Sequence, residues 1–126
     1  MRRTDNDLIQ NQDADLAVRP VASALYQQRM LCAGLLDELT RAKGHFQARC
    51  YTRMADSLNK GIDLLNTLTS ALDFENGGEL ALRLACLYDY CVYRLYDASH
   101  QRSIERIKEV EEILGSIQEN GEGIEA

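Results

Sequence analysis

An all-α fold, an antiparallel up-and-down four-helix bundle with a mobile or short-helical N-terminal arm, is what this sequence predicts, and three observations carry the prediction. Apolar residues recur at steps of three and four through most of the chain. Leu, Ala, Arg, Lys and Glu are common, one proline occurs and there is no tryptophan, a composition that favours helix over sheet. The links between periodic segments are short. Helices of about 20 to 25 residues rise roughly 30 to 37 Å, and short links between such equal lengths favour antiparallel neighbours. With 126 residues, 45% of them hydrophobic, the chain supports one domain with a modest core.

Residues 1–19 read as a polar arm. Leu8, Ile9, Leu16 and Val18 are its large apolar residues, and Arg19-Pro20 marks a break before the bundle. The bundle itself is placed at residues 20–118. Its first helix carries Leu31, Leu35, Leu39, Ala42 and Phe46 at steps of four, four, three and four, with Leu25, Cys32 and Leu36 widening the stripe and Ser23 as N-cap. The second, from about Arg49 to Asp73, has the cleanest period: Tyr51, Met54, Leu58, Ile62, Leu65, Leu68 and Leu72. The fourth uses Ile104, Ile107, Val110, Leu114 and Ile117 after Ser103 as N-cap. Residues 119–126, ENGEGIEA, mix glycine with acid and are expected to form a frayed acidic tail.

Between the second and fourth helices lies the most informative segment, residues 71–99. Asn76-Gly77-Gly78 can adopt left-handed backbone that closes a helix and turns the chain, so Gly77 and Gly78 are the candidate hinge. Glu79 then puts a carboxylate in the first turn of a third helix, from about Gly78 to Ser99, where it favours the positive end of the dipole. At about 100° per residue, Leu80, Leu84, Leu87, Cys91, Leu95 and Ala98 share one face, with Tyr88 close to it. Leu82, Cys86, Tyr93 and Tyr96 fall nearly opposite, interrupted by Asp89. A helix that is apolar on two sides needs two neighbours. One is the core; the other is a binding face, or a face covered by the chain's own arm. Each tyrosine taken alone suits a half-buried rim position; with Leu82 and Cys86 beside them, they mark a patch of the kind that receives a partner.

Charge and chemistry narrow the classes. The net charge of −6 and a pI near 4.9 leave no basic footprint for a phosphate backbone, so no nucleic-acid partner is expected. No run of about 18 apolar residues can span a bilayer, and the Met-Arg-Arg start leads into a polar stretch, not a signal core; a cytoplasmic protein without membrane insertion is the expectation. The four cysteines, at 32, 50, 86 and 91, show no CxxC and no paired Cys/His spacing, which reads as reduced, mostly buried thiols with no metal and no cofactor. His45 and His100 lie near helix ends outside any phosphotransfer-like setting, and no Glu-x-x-His motif of a di-iron bundle occurs. The Glu109, Glu111, Glu112 cluster reads as a solvated face. No catalytic residue is assigned, and the protein is expected not to be an enzyme.

The hinge GGEL followed by LYDYCVYRL resembles the characteristic segment of the FliS family of flagellin export chaperones, a Gly-Gly-Glu-aliphatic turn leading into a Leu-Tyr-Asp-Tyr helix. The resemblance extends without gaps over roughly Ser23 to Leu114, through MLCAGLL, SLNKGIDLLNTLTSALD and IERIKEVEEIL. It implies a cytoplasmic chaperone that binds the disordered C-terminal segment of flagellin, keeps it from polymerising early and helps deliver it to the type III export gate, an export-gate component being a second partner. The client-binding residues are then expected to be Leu82, Cys86, Tyr93 and Tyr96 of the third helix with Leu25 and Tyr26 of the first. The arm lacks the tyrosine usual in that family, Ser23 is followed by Ala24 where a Ser-Pro pair is usual, and no terminal tryptophan occurs. Those departures keep open a divergent paralogue serving another export substrate. The alternative outside that class is a helical regulatory or adaptor module that binds a folded partner. Monomer or weak dimer is the expected state.

Overall fold

The computed structural model describes the backbone of residues 20–125 and the side chains of residues 24–118. The arm expected over residues 1–19 lies outside the described residues. Four helices follow in order: α1 (Pro20–Gln47), α2 (Tyr51–Ser70), α3 (Phe74–Gln101) and α4 (Ile104–Glu125), an all-α four-helix bundle with no strand among the described residues. The described residues divide into two units, with the boundary between Met30 and Leu31. The first contributes the opening turns of α1. The second holds the core.

Helix α1 begins at Pro20, where a fixed φ and a missing N–H suit the first helical position. Ser23 therefore sits inside the first turn and is not the N-cap that its side chain suggests. Within the second unit, Cys32, Leu35, Leu39 and Ala42 of α1 are buried, with Phe46 packed beside them, a strict alternation of steps of three and four. From α2 come Met54, Leu58, Ile62, Leu65 and Leu68, and from α4 Ile107, Val110 and Leu114. Helix α3 packs against both α2 and α4. Core side chains spaced three or four residues apart on each helix form the ridges that interdigitate with those of the neighbouring helices. Gly61 is buried, and a β-carbon there would stand 3.3 Å from Leu35 Cδ1 and 3.5 Å from Leu95 Cδ1, so its missing side chain leaves room for these two core leucines.

The two turns joining α1 to α2 and α3 to α4 share a device. Each is closed by an arginine in left-handed backbone, Arg49 at φ 59° and Arg102 at φ 50°. In each the next N–H reaches back five residues, Cys50 to the His45 carbonyl at 2.8 Å and Ser103 to the Ala98 carbonyl at 3.1 Å. This closure satisfies carbonyls that the helix end leaves unpaired. The Arg102 guanidinium lies 4.2 Å from the centre of the Tyr51 ring, and Tyr51 meets Phe46 edge-on at 6.2 Å, which ties the two turns together.

At the opposite connection the structure corrects the sequence expectation. Helix α2 stops at Ser70 and the chain turns first over residues 71–73, while the left-handed break expected in Asn76-Gly77-Gly78 occurs at Gly78 alone. Asp73 is the N-cap of α3, its carboxylate accepting from the Asn76 N–H at 3.1 Å and from the Asn76 side-chain amide at 2.7 Å. Gly78 interrupts the helix at φ 52°, ψ −127°, a conformation closed to residues with a β-carbon. Gly77 has no positive φ. The two glycines are thus unlike: Gly78 makes a kink one turn inside α3, and Gly77 belongs to the turn before it. At the far end α4 stays helical through 119–125, the stretch where the composition places a frayed tail. Ser103 does not cap α4 in the expected manner; its hydroxyl lies 3.3 Å from the Glu105 carboxylate, to which it donates.

Candidate functional site

Helix α3 has its inner stripe at Ala81, Leu84, Tyr88, Cys91, Leu95 and Ala98, steps of three, four, three, four and three. Five of these are buried and Leu84 packs partly buried against the core. Tyr88 is fully buried at its centre. Two residues assigned to this stripe by the 100° rotation do not belong to it. Leu80 is 50% exposed and Leu87 38%, because the packed helix follows a seven-residue repeat that runs through Ala81 and Tyr88, leaving the leucines one position before each on the flank.

Opposite the core, Leu82, Cys86, Asp89, Tyr93 and Tyr96 repeat at steps of four, three, four and three. Over 14 residues this stripe runs about 21 Å along the axis. Leu82 is 58% exposed and Tyr93 71%, and Cys86 and Tyr96 are also exposed. Leu80 and Leu87 add apolar area on the flank that also carries Arg94, seven residues further on. That flank is pinned to α4. Glu109 accepts from the Tyr90 hydroxyl at 2.8 Å and from Arg94 Nε at 2.6 Å, and the Arg94 guanidinium lies 5.7 Å from the Tyr90 ring centre. The hydrogen bond from Tyr90, then that from Arg94, holds the Glu109 carboxyl below the usual carboxylate range, and the same carboxylate pushes the Tyr90 hydroxyl up. Tyr90 is therefore committed to the fold, whereas the Tyr93 side chain makes no hydrogen bond among the described residues. The Tyr96 carbonyl, 2.9 Å from His100 Nδ1, accepts from it.

Leu25 is half-buried and Tyr26 66% exposed; both belong to the first compact unit, and the face described here is that of α3 alone. The cysteines divide by environment. Cys32 and Cys91 are buried, Cys50 is half-buried and Cys86 exposed, all as free thiols. Burial pushes the Cys91 thiol up to about 12 and raises that of Cys32, so both act as small apolar residues. Among the described residues no three His, Cys, Asp or Glu side chains are grouped to hold a metal ion, and no helix is long and apolar enough to cross a membrane. What the face can do chemically is bury apolar and aromatic side chains of something else.

Fold and face together define a class: a small acidic helical bundle whose third helix is apolar on two sides, one of them exposed among the described residues. The sequence model of the family described as "Flagellar protein FliS" matches residues 15–125, and the chain belongs to that family. It is similar to "Flagellar secretion chaperone FliS" of Salmonella typhimurium, 36% identical over 71% of this chain and 67% of that protein. The protein of the same description in Vibrio cholerae is 32% identical over 71% and 65%, and that in Escherichia coli 36% identical over 77% and 74%. The chain thus spans about two thirds of the length of the first two relatives.

Proposed function

We propose that this protein is an export chaperone of the flagellum, not an enzyme, and that it works in the cytoplasm by holding the disordered C-terminal segment of flagellin on the outward face of α3. Bound there, the client cannot polymerise and can be handed to the export gate. The observation that carries this reading is the exposed stripe Leu82, Cys86, Tyr93, Tyr96, widened by Leu80 and Leu87, on a chain whose relatives are described as secretion chaperones. A disordered tail that folds into an amphipathic helix would lay residues i, i+3, i+4 and i+7 along such a stripe. Its ordering cost leaves affinity moderate and release feasible. Leu25 and Tyr26 of α1 are proposed as further client-contacting residues.

Tyr93→Asp tests this. Tyr93 is the most exposed of the α3 aromatics, so the variant keeps its melting temperature while placing a charge under the apolar client. An aromatic anchor at an interface is worth about 2 kcal/mol or more, so affinity for a C-terminal flagellin peptide, measured by calorimetry, falls at least about thirtyfold. If the peptide binds the variant as tightly as the unmodified chain, the α3 face is not the client site. If it binds neither, flagellin is not the client.

A further inference from the structure

A second surface lies away from the apolar face, in the open groove between α1 and α2. Arg41 and His45 line the α1 wall, and Arg53, Asp56 and Lys60 line the α2 wall, with Ser57 between them. Glu38 also lines the groove, but it is engaged by Arg41 on its own helix at 3.0 Å. Arg53, Asp56 and Lys60 form no ion pair among the described residues. On a chain of net charge −6, this is a place where cations stand together without partners. Ser57 is the second observation. It is 94% buried, the buried polar residue of the described core, yet its hydroxyl makes no hydrogen bond there. Thr40, Thr67, Thr69 and Ser70 each donate back to the carbonyl four residues earlier. The Ser57 hydroxyl is not among the sealed-off polar atoms of the described residues; it lines the groove and is open to a hydrogen-bonding occupant there.

We propose that this groove is a docking surface for an acidic helical segment of a partner protein. The spacing of charge selects the occupant. Arg53 and Lys60 are seven residues apart on one helix, about 10.5 Å, and Asp56 stands between them. A single small anion cannot meet both cations without facing Asp56, and the groove, about 320 Å³, is several times the roughly 30 Å³ of a water-sized occupant. A helix with two carboxylates at i and i+7 matches the two cations, and an amide or cationic side chain at i+3 or i+4 meets Asp56. The lining runs from Glu38 to His45 on α1 and from Arg53 to Lys60 on α2, about two turns of each helix, which is the length over which the two carboxylates of the occupant are spaced.

The test uses the full chain, isotopically labelled for NMR at low salt. The probe is an alanine-based helical peptide with two Glu seven residues apart and Gln between them. Amide shifts are expected in residues 38–60 and not in 82–96, with affinity falling as salt screens the charges. The double variant Arg53→Glu, Lys60→Glu is expected to bind this peptide at least tenfold more weakly at an unchanged melting temperature, and to prefer a peptide carrying Lys in place of Glu. Tyr93→Asp leaves the titration unchanged. The proposal is overturned by any of four results: equal affinity for the Glu and Lys peptides, shifts confined to α3, no shifts at millimolar peptide, or full competition by inorganic phosphate at the peptide's concentration, which would make this a small-anion site.

Discussion

The two faces of α3 are built from the same few residue types and do opposite things. Inward, Tyr88, Cys91 and Leu95 are fully buried; outward, Tyr93, Cys86 and Leu82 are exposed. A tyrosine, a cysteine and a leucine occur on each side, so composition does not distinguish them. Register does. Inside, steps of three and four run from Ala81 to Ala98 without a charged residue, whereas outside the equivalent run from Leu82 to Tyr96 carries Asp89 at its centre. One central carboxylate suffices to keep that face out of a core, since an unpaired buried charge is strongly unfavourable. The same face stays apolar enough on either side of Asp89 to receive a partner.

The largest effect that tests this contrast is Leu95→Asp. It places an unpaired charge in the core and is expected to abolish the cooperative fold, a loss of more than about 4 kcal/mol, seen as loss of the circular-dichroism transition. Tyr93→Asp, two residues earlier, is expected to shift stability by less than about 0.5 kcal/mol. Comparable destabilisation by both would show that the outer face is part of the fold. Next in size is Leu95→Ala, expected to cost about 3 kcal/mol through lost burial and the cavity left behind, measured by urea unfolding.

Glycine substitutions sharpen the picture at the start of the helix. Gly78→Val is expected to cost about 1 kcal/mol or more, because φ 52° with ψ −127° admits no β-branched side chain. Gly44→Ala, within α1 and with open space where its β-carbon would stand, is expected to stabilise by about 0.5–1 kcal/mol. Opposite signs in thermal melts confirm the kink; a gain at both positions refutes it.

The smallest effect is electrostatic. Glu109 has its pKa lowered in the folded state by the hydrogen bond from Tyr90 and then by Arg94, so its contribution to stability is complete above the ordinary carboxylate range and is lost as pH falls through the lowered folded value. The melting-temperature difference between the unmodified chain and Glu109→Gln is therefore expected to be constant at neutral pH and to shrink below about pH 4. A difference that persists unchanged into stronger acid would mean that the Tyr90–Glu109–Arg94 cluster does not couple to folding.

Much of this was legible in the residues. The stripe of α2 stands where the period puts it, since every leucine there falls on the core side and polar residues fill the rest. In α3 leucine misled, because Leu80 and Leu87 are more hydrophobic than the Ala81 and Tyr88 that displace them from the core. Only the facing helices decide which repeat is packed. Asp73 carried a cap signal, with Asn76 three residues on, but a stripe reaching Leu72 hid the end of α2 one turn earlier. The outward stripe was readable from its alternation with Asp89. The groove between α1 and α2 was not, because Arg53, Asp56 and Lys60 look like any solvated face until Ser57 is found buried behind them.

Because α3 packs on both of its sequence neighbours, α2 and α4, much of the core forms between segments joined by turns of two or three residues. Topologies of that kind cross low entropic barriers, and helical bundles of this size fold in microseconds to milliseconds. The chain can therefore present the outward face of α3, the proposed client site, almost as soon as it leaves the ribosome.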